Sequence, residues 1–166
     1  MARSAKLSRG TAHETTISGN IVRNSGQGGI GLFGGDGYSG YGSPRGSRNV
    51  TITGNLVENS AQWSSSSFRA GISVDSTAVA GSNIRVVSNI ATDNQTTKTQ
   101  QYGFEYAGPA PSGVWVDPSN QFAGNAVSAL HGYAPVAVTG AKSGNAALAS
   151  LLSTLAGFGL ITDSTS

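Results

Sequence analysis

Eight carboxylates are spread through the 166 residues: Glu14, Asp36, Glu58, Asp75, Asp93, Glu105, Asp117 and Asp163. Cleaving a glycosidic bond needs two carboxyl groups facing each other, one to protonate the leaving oxygen and one to activate water or attack the sugar. Asp75 and Glu105 are the pair that the local pattern can bring together. Gly71-Ile72-Ser73-Val74 and Gly103-Phe104-Glu105-Tyr106 alternate in the same phase. As neighbouring strands they set Glu105 beside Ser73, with Asp75 one diagonal step away at roughly 7–8 Å. That separation suits an inverting glycosidase. Asp117 is a third catalytic candidate. The plainer reading of all three is a solvated acid on an outward strand face, because two acids on adjacent strands arise readily by chance.

Sugars can also be held by flat rings, whose faces suit the C–H faces of a pyranose. Tyr38 and Tyr41 lie in a glycine-rich excursion, and Trp63 and Phe68 flank a serine run from Ser64 to Ser67. Trp115 alternates with Val114 and Val116, so it points away from their side. These five are the glycan-binding candidates; the alternative is that the rings pack on neighbouring loops or on another subunit.

Other chemistries find little support. There is no cysteine, hence no disulfide framework and no thiolate chemistry. His13 and His131 stand at opposite ends with no third ligand at metal spacing, so no metal is expected. Gly29-Ile30-Gly31-Leu32-Phe33-Gly34 matches a dinucleotide fingerprint letter by letter, but no helix follows it, and Ala141-Lys142-Ser143 lacks the glycines of a phosphate loop. No nucleophile elbow is present. No cofactor is expected.

The elements that must position these residues are set by a repeat. Thr16-Ile17-Ser18-Gly19-Asn20-Ile21-Val22-Arg23-Asn24 returns as Thr51-Ile52-Thr53-Gly54-Asn55-Leu56-Val57-Glu58-Asn59 and as Val86-Val87-Ser88-Asn89-Ile90-Ala91-Thr92-Asp93-Asn94. A looser copy is Asn120-Gln121-Phe122-Ala123-Gly124-Asn125. The leading asparagines are 35, 34 and 31 residues apart, a period typical of solenoids. The second half of each unit carries a short alternating segment: Gly29-Ile30-Gly31-Leu32, Gly71-Ile72-Ser73-Val74, Gly103-Phe104-Glu105-Tyr106 and Pro135-Val136-Ala137-Val138. One unit therefore reads strand, asparagine turn, short strand, strand, variable loop.

Stacked without crossover helices, such units give an all-β fold, a parallel β-helix of about four coils. Asn20, Asn55, Asn89 and Asn120 are expected to adopt the left-handed backbone of a sharp turn and to form an internal amide ladder. The expected inward columns are Ile30, Ile72, Phe104 and Val136, then Leu32, Val74, Tyr106 and Val138. Gly31, Ser73, Glu105 and Ala137 are expected to face outward. Strand and turn signals alone would also fit a β-sandwich with independent turn asparagines.

Composition agrees with a many-cornered β protein: 24 Gly and 11% charged residues, with the 37% hydrophobic residues recurring at regular intervals. The net charge of +2 gives no indication of nucleic acid, and the Arg3, Lys6, Arg9 strip reads as a solvated leader. Neither a signal peptide nor a membrane span of about 20 apolar residues is evident, so no membrane insertion is expected.

Past Gly140 the β pattern stops. Leu148, Leu151, Leu152 and Leu155 fall at i, i+3, i+4 and i+7, which predicts a short C-terminal α-helix ended by Gly157 or Gly159. Such a leucine face either covers the open end of the solenoid or packs on the same helix of other chains. The expected organisation is a leader over 1–13, a β-helix over 14–139 and a helical capping or trimerisation segment over 140–166.

The T-I-[ST]-G-N-[IL]-V-x-N units resemble the right-handed β-helices of the pectate-lyase-like superfamily. Gln100-Gln101-Tyr102-Gly103-Phe104 resembles a strand opening common among phage tail-spike members. The segment from Gly144 to Ser164 is similar to the C-terminal endings of structural proteins of tailed phages that infect actinobacteria. The superfamily holds lyases, hydrolases, epimerases and inert fibres, so it speaks to fold more than to function. The resemblance implies a virion protein made in the host cytoplasm: a homotrimeric tail spike, tail fibre or capsid appendage that meets other virion proteins and displays loops for attachment to a host-surface polysaccharide. A polysaccharide depolymerase and a purely architectural decoration are the alternatives. The first coil begins by about Thr15, leaving no room for a virion-attachment domain, so the chain is expected to be the C-terminal piece of a longer protein.

Overall fold

The computed structural model describes residues 12–33, 46–63, 68–76, 80–108, 113–133, 136–140, 146–157 and 161–165. The chain divides into two units, Met1–Tyr133 and Ala134–Ser166.

In the first unit each of the first three coils contributes one strand to each of three sheets. β1 (His13–Ser18), β2 (Ile21–Arg23) and β3 (Ile30–Phe33) form the first coil. β4 (Arg48–Thr53), β5 (Leu56–Glu58) and β6 (Ala70–Asp75) form the second, and β7 (Ser82–Val87), β8 (Ile90–Thr92) and β9 (Tyr102–Ala107) the third. The fourth has β10 (Val114–Val116) and β11 (Ser128–His131), with a single parallel bridge from Gln121 to Ile90 between them. The sheets run β1-β4-β7-β10, β2-β5-β8 and β11-β9-β6-β3, every pairing parallel. This is a parallel β-helix of about four coils.

The asparagine corners lock one coil to the next. Asn55 Oδ1 accepts from the backbone N–H and the Nδ2 of Asn20 at 3.0 and 2.9 Å, and Asn89 Oδ1 accepts the same pair from Asn55 at 3.1 and 2.8 Å. Asn120 Oδ1 closes the series with two bonds of 2.9 Å from Asn89. Each Nδ2 also satisfies a strand-end carbonyl: Asn55 that of Ile17, Asn89 that of Ile52 and Asn120 that of Val86. The left-handed residue of the corner, however, is not the asparagine. It is the one before it: Gly19 at φ 65°, Gly54 at 62° and Ser88 at 53°. Reversing the chain one residue earlier leaves the asparagine free to aim its amide along the stack, and glycine makes that reversal without a Cβ penalty.

Inside the coils the columns are apolar and nearly dry: Ile17, Ile52 and Val86; Val50, Ile84 and Val114; Ile30, Ile72 and Phe104; Leu32, Val74 and Tyr106. Each such side chain contributes on the order of 1.5–3 kcal/mol by leaving water. Ala91 is small where Val57 precedes it, and Phe122 fills the space below, stacking on Phe104 at 6.2 Å.

The fourth member of the third-sheet columns corrects the sequence reading. Leu130, not Val136, sits opposite Phe104, and the outward column continues from Glu105 to His131, not to Ala137. From the corner asparagine to the inward residue of the third sheet the fourth coil takes 10 residues, Asn120 to Leu130, as the first does from Asn20 to Ile30, where the second and third take 17 and 15. Asn125 donates to the carbonyls of Ala91 and Phe122 and accepts from Gln100 Nε2, and Ala126 and Val127 donate at once to Gln100 and Gln101. The chain therefore enters β11 without the longer excursion that the second and third coils make before β6 and β9. Ser73 lies on the outward side with Gly31 and Glu105, as expected, yet is covered there and only 5% exposed.

In the second unit, β12 (Val136–Gly140) pairs in parallel with β13 (Ile161–Thr165), and α1 (Ala146–Gly157) joins them and packs on β13. Parallel neighbours need a crossover of this length, so β12 belongs to a strand–helix–strand unit and not to a fourth coil. Leu152 is buried and Leu155 partly so, while Leu148 and Leu151 remain exposed.

Candidate functional site

Outward residues on the third sheet gather the first candidate site. Gly31, Ser73, Glu105 and His131 stand side by side on β3, β6, β9 and β11, and Phe33 and Asp75 form the next outward pair. The Phe33 ring lies over Gly31, where a Cβ would come within 2.6 Å of it, and meets Phe68 edge to face at 4.8 Å. This aromatic pair covers the first coil. Below it the face turns polar. The buried Ser73 hydroxyl has no hydrogen-bond partner among the described residues. Glu105 is half-buried, and desolvation pushes its carboxyl above the ordinary value; Asp75 adds to the rise and His131 opposes it. The imidazole of His131 stacks on Tyr102 at 4.3 Å with the rings nearly parallel, which holds it beside Glu105.

Of the catalytic candidates, the fold thus brings Asp75 and Glu105 together and leaves Asp117 elsewhere. Asp117 follows β10 on the first sheet, where its carboxylate accepts the Ser119 N–H at 2.8 Å and its carbonyl accepts from Asn120. Bonds from the Ser119 hydroxyl and backbone hold it below the ordinary carboxylate range. It is a turn-forming aspartate. In the sequence His131 stands apart from Glu105, because the alternation at Val136 offers an equally good fourth strand; the signal that places it is the second corner asparagine, Asn125, three residues before β11 begins.

No protein-family model, curated protein or solved structure matches this chain. The assignment of a role therefore rests on the geometry itself.

The aromatic candidates separate into two groups. Tyr38 and Tyr41 lie outside the described residues, as does the excursion from 34 to 45. Phe68 is half-buried against Phe33. Trp63 and Trp115 instead remain 60% and 44% exposed. Trp63 lies across Gly26, whose missing side chain is what admits the indole, and the two residues are also tied by a backbone bond of 2.9 Å. Trp115 stands outward on β10 next to Arg85 on β7, the guanidinium 6.0 Å from the ring centroid. Among the described residues no cluster of three or more His, Cys, Asp or Glu could hold a metal.

Proposed function

We propose that this chain is the sugar-binding part of a virion appendage, a homotrimeric phage tail spike or fibre that attaches to host-surface polysaccharide. One observation carries the reading: two tryptophans, the costliest side chains to leave in water, are held open on a coil whose core is otherwise closed. Each indole is placed by rigid backbone, Trp63 on Gly26 and Trp115 on an in-register strand. Rings fixed in this way bind a pyranose face without losing conformational freedom. The likeness of the repeats to tail-spike coils, and of the tail to actinobacterial phage proteins, supplies the biological setting. Three copies would multiply a weak contact through effective concentration, and the exposed Leu148 and Leu151 of α1 are the surface proposed for that assembly.

Binding of the purified chain to an array of actinobacterial envelope polysaccharides tests the reading. Retention on at least one polysaccharide is expected, with a loss of tenfold or more for Trp63→Ala or Trp115→Ala at unchanged melting temperature. Equal retention by both variants overturns it.

The raised carboxyl of Glu105 beside Asp75 favours a second reading, a depolymerase in which Glu105 donates the proton and Asp75 activates water. Release of reducing sugar that disappears in Asp75→Asn and Glu105→Gln would establish it. No release from any polysaccharide the chain binds would remove it.

A further inference from the structure

A shallow cavity of about 390 Å³ opens on the outside of the first sheet, lined by Asn83, Ile84, Arg85, Gly113, Val114 and Trp115. A second, outer polar column ends at its rim. Glu14, Asn49, Asn83 and Gly113 occupy one column in register, and all four adopt left-handed backbone, at φ 50°, 53°, 49° and 86°. Asn83 Nδ2 donates to Asn49 Oδ1 at 2.9 Å. The next amide would complete the series from the fourth coil, but the residue there is Gly113, which has no side chain to give. Asn83 Oδ1 is left as an acceptor with no donor among the described residues, and Gly113 closes so tightly on the preceding coil that a Cβ there would come within 3.1 Å of Ser82 Cα.

The walls are chemically distinct. On one side Trp115 offers an indole open to solvent. Beside it Arg85 is exposed, and among the described residues no carboxylate bridges it; the one ion pair there is Arg23 with Glu58. A guanidinium placed along an aromatic ring keeps its planar fork of donors free for a carboxylate, which it can hold by two parallel bonds.

From these three groups the geometry points to an acidic sugar as the ligand of this cavity: a hexuronate residue of a polysaccharide, its ring face on Trp115, its carboxylate on Arg85 and a hydroxyl donating to Asn83 Oδ1. The inference rests on the glycan-attachment reading and deepens it by naming the sugar class at the Trp115 site. The dimensions agree, since 390 Å³ lies in the range of small-molecule sites. The column Thr16, Thr51, Arg85 and Trp115 extends the surface along the coil axis, with strand spacings of roughly 4.8 Å, so hydroxyl-bearing positions continue beyond the cation.

The test is calorimetric titration of the whole chain with a panel of oligohexuronates and with the same oligomers after carboxyl reduction to neutral sugars. At least one acidic oligomer is expected to bind tenfold or more tightly than its reduced form, with the preference shrinking as salt rises from about 50 to 300 mM, because an exposed ion pair is screened. R85Q should abolish the preference while leaving the melting temperature unchanged. R85K should retain part of it through charge alone, and W115A should weaken both forms together. Equal binding of acidic and reduced oligomers, or an undiminished preference in R85Q, overturns the acidic-sugar inference and leaves glycan attachment standing. Binding of the envelope array abolished by W63A, with no oligohexuronate bound, likewise overturns only this inference. Silence on both the array and the panel sinks both.

Discussion

The outer faces of the first and third sheets are built on the same backbone and reach opposite chemistry. Around Trp115 the first sheet carries a cation with no acid beside it among the described residues and a ring left in water. Around Glu105 the third sheet crowds a second acid and a histidine onto a half-buried carboxyl, with a ring stacked on that histidine. The inward columns of both sheets are buried apolar and aromatic residues, because the core demands volume and dryness. Each outward position is free of that demand, so one coil can place a guanidinium where its neighbour places a hydroxyl. A solenoid of this kind separates stability, held by the interior, from recognition, written on the exterior.

Breaking the interior should erase both faces at once, and this is the largest effect expected. Asn89→Ala removes the acceptor for two bonds from Asn55 and the donor for the Ile52 carbonyl, all of them buried. With about 1–3 kcal/mol for each polar group stranded away from water, a loss of about 3–5 kcal/mol is expected, a large part of a domain's stability. Chemical denaturation measures it, and a change under 1 kcal/mol would show that the ladder does not hold the coils.

A smaller effect distinguishes the third sheet by its response to pH. Since folding raises the Glu105 carboxyl, the folded chain holds that proton more tightly than the unfolded one. Its contribution is therefore fully present below the unfolded value and declines as pH rises through the folded one. Glu105→Gln should accordingly stabilise the protein near neutral pH and lose that advantage in acid. Asp93 should show the opposite sign. Burial raises its carboxyl, but bonds from the backbone of Gln95, Gln100 and Thr99, and from the Gln95 side chain, outweigh this and lower it. Its contribution holds above the unfolded value and fades as pH falls through the folded one, so Asp93→Asn should cost most at neutral pH. Melting temperatures of the two variants from pH 3 to 8 check both slopes, and parallel curves would contradict the assignment.

Least is expected from Glu58→Gln. The Arg23–Glu58 bridge of 2.5 Å joins adjacent coils on the second sheet with the arginine more than half exposed, so its loss should cost under about 1 kcal/mol and leave both faces unaffected.

The amino-acid sequence alone contains the period, the corner asparagines and the inward columns of the first three coils, because each is a local pattern repeated at fixed spacing. It also contains the C-terminal helix, through the leucines. It does not reveal where the fourth coil turns: the alternation at Val136–Val138 is as good as that at Ser128–His131, and only the hydrogen bonds of Gln100, Gln101 and Asn125 choose between them. The same choice decides that His131 stands beside Glu105, so this part of the candidate site depended on tertiary structure. So did the cavity at Gly113. A glycine in a loop has no fixed meaning in a sequence; its meaning here comes from Asn83 directly across the sheet, whose amide finds no counterpart on the next coil. Repetition along a chain encodes what stacks. Contact between coils decides what is left unpaired.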